Sequence, residues 1–574
     1  MIRKITLAAF FAFFLLQLNA QQKPLEREVT LYNPYKPSLN EARKKSYLPD
    51  IADTAKFRPE FGYEVTATPF MPVYTVNPIK AATLQPDPLN KLYRSYVNLG
   101  IGSNTSTLAE VSITNERSKK GAIGFYGRHF SNNGSFTNDL KQKINSGYMD
   151  NDLSFFGKKF YKGGVIAGSV DYKQRSRHAY GFVPEEIYVL GRKDTKLRYN
   201  DFGAEISVAS AKLDSSSYAY DFNVRYDYFN NKSGLPDNLF TSNEKYNHYL
   251  GIKGEMSKSF NGFYVGSGLE IENYKLPVTL LPHSKYIAAL NPFISKSSSQ
   301  WNFRLGMQAL IERNLKESAK LHIYPDVHFG FNMVPSYINF FAALEGNLEK
   351  NDPLNVIEEN PFLLPDGSLF VLPFSDNKLI VSTGFRGNSG IEGTYELSAS
   401  YSLASDMLFF YGFMSGDSLS GRGNYFKSVV DDVDVLRLHG AMNGKLTDKL
   451  SFSTGINFYR YTLTLLEHPW NKPNWDASLS FKYNLRDKII AGVDVKGIGE
   501  RKQIIEDSLT GPVVTLNQKT MPVHFSMNIM AEYRYSNILS FWARVNEMSY
   551  KRYYEWTNYP SHMFQFMVGF TYSL

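Results

Sequence analysis

Cysteine is absent from all 574 residues. That excludes a disulfide framework, a thiolate zinc site and a lipidated cysteine at a signal-peptide junction. Long apolar runs are nearly absent as well. The one example, Ile5 to Leu18, follows Arg3-Lys4 and precedes Asn19-Ala20-Gln21, which reads as a signal peptide cut after Ala20. A membrane-crossing helix needs about 20 consecutive apolar residues, and no stretch from Gln21 onward supplies them, so a mature chain without transmembrane helices is expected. The net charge of +8 comes from 63 Lys and Arg set against 55 Asp and Glu. These cations are scattered through turns and loops rather than gathered on one element, which argues against nucleic acid as a partner.

What the sequence has in quantity is aromatic side chains, 39 Tyr and 42 Phe, although only 43% of its residues are hydrophobic. A long chain of that kind suits a transmembrane β-barrel, whose strands turn apolar residues to lipid and polar ones to the lumen. The decisive sign is strict alternation, because successive side chains of a strand point to opposite faces. Tyr220 to Tyr228 sets Tyr220, Phe222, Val224, Tyr226 and Tyr228 against Asp221, Asn223, Arg225 and Asp227. Trp475 to Tyr483 and Phe525 to Tyr535 repeat the pattern. Such runs approach the roughly nine to eleven residues that cross a bilayer at a tilt, whereas strands of soluble sheets usually have about five or six.

Turn lengths imply the topology. Short polar turns are expected at Arg117–Gly121, Tyr161–Gly164, Lys212–Ser217, Ser259–Gly262, Ser297–Gln300, Val334–Tyr337, Gly387–Gly390, Leu446–Lys449, Asn484–Lys488 and Arg534–Asn537. Between them lie longer connections at Ser131–Gly147, Arg175–Leu197, Asn230–Tyr246, Leu276–Ser284, Asn351–Leu379, Glu500–Thr520 and Lys551–Ser561. Short turns alternating with long loops match periplasmic turns and extracellular loops. With a first strand near Leu92 to Gly102 and a last near Phe564 to Leu574, the expected fold is all-β. It is an antiparallel up-and-down barrel of about 22 strands, within a range of roughly 20 to 24, spanning residues 92–574. The amphipathic last strand is what a barrel-assembly machinery would recognise and pair, since an open edge cannot stay unsatisfied in lipid.

The closing segment carries a family resemblance. Phe541-Trp542-Ala543-Arg544-Val545-Asn546-Glu547-Met548, then Tyr553, Trp556, Tyr559-Pro560 and Gly569, resemble the last strands of the barrel domain of TonB-dependent receptors, particularly plug-poor relatives in Bacteroidetes-type bacteria. The resemblance implies a 22-strand barrel and a role in transport across the outer membrane. The chain departs from that pattern by ending in Leu574 where an aromatic is usual and by carrying Met563-Phe564 in place of Gly-Arg. The Pro-rich segment 21–91 is also too short for a receptor plug and reads as an irregular periplasmic or lumen-filling tail. Within it, Glu28-Val29-Thr30-Leu31 matches a TonB box only loosely.

No motif announces catalysis or a cofactor. Gly100-Ile101-Gly102 lies inside a strand pattern and precedes no helix, so it is no phosphate cradle. His322 and His328 share a strand face without carboxylates at ligand spacing and read as two solvated histidines. His439 near Asp431, Asp432 and Asp434, and His129 before Ser131, come with no convergent nucleophile, base and orienting group. No catalytic, cofactor or metal site is therefore expected. The candidate lumen-lining residues are Asp221, Arg225, Asp227, Asp476, Lys482, Asp494, Lys496, Glu532 and Arg534. All lie on the polar phase, because a Lys or Arg facing lipid near the midplane costs about 2 to 4 kcal/mol. The expected partners are outer-membrane lipids and lipopolysaccharide, the assembly machinery, and a surface or periplasmic lipoprotein. The expected function is solute binding or passage; a scaffolding or adhesive barrel is the rival, and a barrel enzyme the weakest alternative.

Overall fold

The computed structural model describes residues 93–574, apart from residues 116–117, 138–142, 182–195, 212–217, 234–245, 276–283, 315–317, 365–368, 370–371, 391, 415–424 and 508–514. The leader, the segment 21–91 with Glu28–Leu31, and the turn Lys212–Ser217 lie outside the described residues.

Alternating sequence becomes a closed sheet. Twenty-two strands pair antiparallel in chain order from Ser95–Gly102 to Gln565–Ser573. The last pairs back onto the first, with Leu99 opposite Phe570 and Ile101 opposite Val568. The nine expected short turns that reach described residues each separate consecutive strands. At Asn261-Gly262 both residues adopt positive φ, 50° and 78°, the type I′ geometry whose twist matches a two-residue hairpin. The opposite end carries the longer connections, with one exception in Ser103–Thr105, a single 3-10 turn. Glu500–Thr520 is not an irregular loop. It forms a hairpin, Arg501–Asp507 with Thr515–Met521, whose first strand pairs parallel with Gly412 to Met414.

The register fixes which phase faces out. Every one of the 22 strands presents at least one exposed large apolar residue, among them Leu153 (43% exposed), Val170 (61%), Ile206 (62%) and Phe570 (38%). An apolar belt around a whole ring, far beyond what a soluble surface carries, has lipid as its solvent. Tyr172, Phe202, Tyr228 and His248 line one stretch of it, with neighbouring ring centroids 4.6, 6.5 and 5.1 Å apart. This is an aromatic girdle at the long-loop end.

The closing seam depends on two glycines. A Cβ on Gly569 would lie 2.3 Å from the Trp542 ring and 2.2 Å from the Leu99 carbonyl, and one on Gly100 would lie 2.4 Å from the same ring. The buried indole of Trp542 therefore lies flat across the last and first strands, where its Nε1–H donates to Asn98 Oδ1 (2.7 Å).

Candidate functional site

From that seam a chain of polar groups runs along the inward phase. Asn98 donates to Glu110 (2.8 Å), Glu110 pairs with Arg128 (3.2 Å), Arg128 with Asp152 (3.7 Å), and Asp152 with Arg175 (2.7 Å). Arg175 then leaves the wall and meets Glu358 at 3.6 Å. Glu358 belongs to α1 (Pro353–Glu359), inside the long connection 350–374. The next residue, Glu359, pairs in the other direction with Lys472 at 2.5 Å. Beyond α1, Leu364 N–H donates to the Phe426 carbonyl (2.8 Å) and Phe426 N–H to the Phe362 carbonyl (3.0 Å).

Those contacts place the connection. Arg175 is on the fifth strand of the ring and Phe426 at the long-loop tip of the sixteenth, strands eleven positions apart in a ring of 22, and that tip reaches over the mouth to Tyr559 (6.1 Å between centroids), which also meets Tyr180 beside the fifth strand. The described residues of 350–374 form a strap over the mouth at the long-loop end. Its ends are tied down. Lys350 bridges Glu270 and Glu272 (2.7 Å to the latter), and Lys253 joins the same pair. Lys285 holds the Leu372 carbonyl, and Asn351 Nδ2 closes the neck onto the Pro373 carbonyl (2.7 Å). Glu272 is fully buried and also accepts from the hydroxyls of Tyr249 (2.9 Å) and Tyr274 (3.0 Å). Buried charge of this kind is tolerable only when every partner is present.

An apolar cap covers the strap. Val356, Ile357, Phe362 and Leu363 pack with Tyr199, Phe229, Phe410, Phe426, Trp556 and Tyr559 in one buried cluster. Phe362 stacks on Tyr559 at 3.6 Å between centroids, and Tyr180 meets Tyr559 edge-on at 4.9 Å. Trp556 and Tyr559-Pro560, quoted above for the family resemblance, thus anchor the mouth from the connection 549–564.

Asp352 caps α1, accepting from Leu354 N–H at 2.9 Å. Burial beneath the strap pushes its carboxyl up to about 6, aided by the facing Asp227 and Glu358 and only partly offset by the hydrogen bond. Burial likewise raises Glu555, with Arg501 and Arg177 opposing it. Under α1 lies a cavity of about 270 Å³ lined by both signs of charge, including Lys173, Asp201, Arg225, Asp227, Tyr274 and Asp352.

All nine residues singled out in the sequence fall on the inward phase, but the fold does not gather them. Arg225 forms a fork to Asp227 (2.8 and 2.7 Å) and reaches Glu205 (3.0 Å) beside the strap. Asp221 lies further toward the short-turn end on the same strand, in a recess with Lys253 and Glu270. Asp476 accepts from Asn457 (2.8 Å), which in turn meets Arg437 and His439. Glu532 and Arg534 pair with each other at 3.3 Å near the short-turn end. Lys482, Asp494 and Lys496 sit opposite Ser451, Ser480 and Ser478 and make no ion pair among the described residues. The histidines correct the sequence reading. His322 is held between Glu312 and Asp376 (both 3.3 Å), and His328 between Asp326 (2.9 Å) and Glu345 (3.4 Å). Six residues of strand separate the two histidines by roughly 20 Å. His439 is not near a carboxylate cluster: Asp431 accepts from the backbone N–H groups of Leu465 and Leu466, while Asp434 faces outward to Tyr401. No group of three or more metal-binding side chains occurs among the described residues.

No family model and no curated protein matches the sequence. Solved structures do match the fold. The FrpB iron transporter of Neisseria meningitidis, F5-1 variant in its apoprotein form, aligns at 11% identity and TM-score 0.63, over 85% of this chain and 82% of its own. The siderophore receptor PirA of Acinetobacter baumannii aligns at 12% identity and TM-score 0.64, over 85% and 81%. The pyoverdine receptor FpvA of Pseudomonas aeruginosa aligns at 10% identity and TM-score 0.60, over 84% and 80%. The fold is that of the TonB-dependent receptor barrel. At 10–12% identity the likeness is one of fold.

Proposed function

We propose that this protein is an outer-membrane transport barrel whose extracellular mouth is gated by the strap 350–374. The short turns and both ends of the described barrel would face the periplasm, and the longer connections the exterior. One observation carries the reading. A ring of 22 strands encloses more space than wall side chains fill, and a segment held by Glu358 to Arg175 on the fifth strand, and by Phe362 and Leu364 to Phe426 at the tip of the sixteenth, covers its mouth. A wide lumen with a dedicated covering segment is suited to admitting solute only when that segment moves.

The nine inward residues named above would line the solute path together with Glu205, Arg437 and Asp326. Their paired and alternating charges suit a polar, hydrated solute over an apolar one. Several neighbours are transporters or receptors of iron or siderophores by description. At 10–12% identity they support transport as the class of activity, and the cargo must be read from this chain's own lumen.

The test is planar-bilayer conductance of the purified protein with and without Glu358→Lys and Phe362→Ala, which attack the two tethers. The expected result is low, intermittent conductance for the parent and frequent, larger openings for the double variant. Silence of both, together with a co-purifying partner, would favour a scaffolding barrel.

A further inference from the structure

The cavity of about 270 Å³ beneath α1 contains polar groups that the protein itself leaves unmatched. Most of the charge around it is paired. Arg225 holds Asp227 and Glu205, and Lys253 and Lys350 hold Glu270 and Glu272. What is left over after those pairs has a definite composition.

Asp201 is 5% exposed, and its carboxylate takes part in no hydrogen bond or ion pair among the described residues. Lys173 stands directly opposite it in the register, yet the ammonium makes no ion pair among the described residues either. Asn247 is 4% exposed, and its Oδ1 has no donor. From the roof, Asp352 accepts the Leu354 N–H and meets no cation directly. All four line the same cavity. Buried polar atoms are ordinarily satisfied, because an acceptor taken out of water without a donor is costly. Apolar side chains at positions 201 and 247 would seal the space without that cost.

The unmatched set is two carboxylates, one amide oxygen and one ammonium. Three acceptors around a net negative charge suit the three N–H donors of a primary ammonium. A neutral sugar would leave both carboxylates without a counter-charge, and an anionic solute would be repelled by them. A bare metal ion does not fit so roomy a space, and no group of three or more metal-binding side chains occurs among the described residues. The volume lies just below the roughly 300 Å³ at which pockets for drug-sized ligands begin, which limits the ligand to a small one.

We infer that the recess beneath α1 is a binding site for a small hydrophilic solute bearing a primary ammonium group, received by Asp201, Asp352 and Asn247 while Lys173 holds an oxygen of the same molecule. Leu354 and Asn355 of α1 close the recess from above, so the strap would cover the bound solute. This names the class of solute for the transport reading given above and rests on it.

The experiment is isothermal titration calorimetry of the full processed chain in detergent and neutral buffer, with glucamine, sorbitol and gluconate. These probes share one polyhydroxylated six-carbon chain and end in an ammonium, a hydroxyl and a carboxylate. The parent should bind glucamine at least about tenfold more tightly than sorbitol and give no measurable heat with gluconate. Asp201→Asn should weaken glucamine binding roughly ten- to a hundredfold, the loss of one charge-assisted hydrogen bond. Asn247→Leu should weaken it about three- to tenfold while leaving the heat stability of the fast-migrating folded form undiminished, because no bond within the protein is lost. A purely structural Asn247 would instead lose stability on that change. Asp171→Asn, on the same wall but outside the recess, where Asp171 accepts from Ser154 and Ser169, should bind as the parent does. Equal affinity for glucamine and sorbitol, no saturable glucamine heat, or undiminished glucamine binding by either folded recess variant would overturn the inference. Selective glucamine binding together with unaltered conductance of the Glu358→Lys, Phe362→Ala variant would overturn only the gate.

Discussion

At the residue scale, two positions carry consequences that can be measured. Gly569 touches both the Trp542 ring and the Leu99 carbonyl, so any side chain there must push the seam apart. Gly569→Val should cost about 1 to 3 kcal/mol, the usual penalty of overpacking, and lower the temperature at which the fast-migrating folded form is lost on gels. Asp352 titrates the strap. Its carboxyl is raised from the ordinary 3.8 to about 6, so the folded form prefers the proton. The resulting stabilisation is complete below about pH 4 and is lost as pH rises through 6. Two units correspond to at most about 3 kcal/mol, less because Asp352 keeps some contact with solvent. Hydrogen exchange at α1, corrected for its intrinsic pH dependence, should accelerate between pH 5 and 7.5, and Asp352→Asn should abolish that change. The seam glycine was visible in the sequence as part of a family-like closing strand. The Asp352 environment was not, because the wall residues around it, Lys173, Asp201 and Asp227 among them, are remote from it along the chain.

At the element scale, the strap is the part that sequence periodicity could not supply. Asn351 to Leu379 reads as a long loop, and the cap-and-proline pair Asp352-Pro353 signals a helix start locally. Nothing local says where the helix goes. Its position follows from ties to Glu272, Arg175, Lys472 and Lys285, which sit on separate strands or loops. Truncating its main apolar anchor, Phe362→Ala, should cost about 3 to 5 kcal/mol of cap packing. Limited proteolysis should then cut first between residues 350 and 374, while the barrel resists.

At the scale of the whole molecule, the alternating code predicts an asymmetry between neighbours. Val224 is 44% exposed on the outward phase and Asn223 beside it faces in. Val224→Arg should therefore cost about 2 to 4 kcal/mol of folding into bilayers, and Asn223→Arg much less, as denaturant titration into vesicles will show. Deleting Phe566 to Leu574 should abolish assembly outright, because those residues pair with both neighbouring strands and leave two open edges in lipid without them.

The sequence by itself determined the class of fold, a strand count of about 22, the nine short turns that reach described residues and the inward phase of the nine charged residues it singled out. Each of these follows from a period of two and from local turn chemistry. Tertiary structure decided what the strand pattern could not hold: that one long connection lies over the mouth, that Trp556 and Tyr559 cover it, and that His322 and His328 each sit between carboxylates. Those facts join residues tens to hundreds of positions apart, and only closure of the ring brings them within reach.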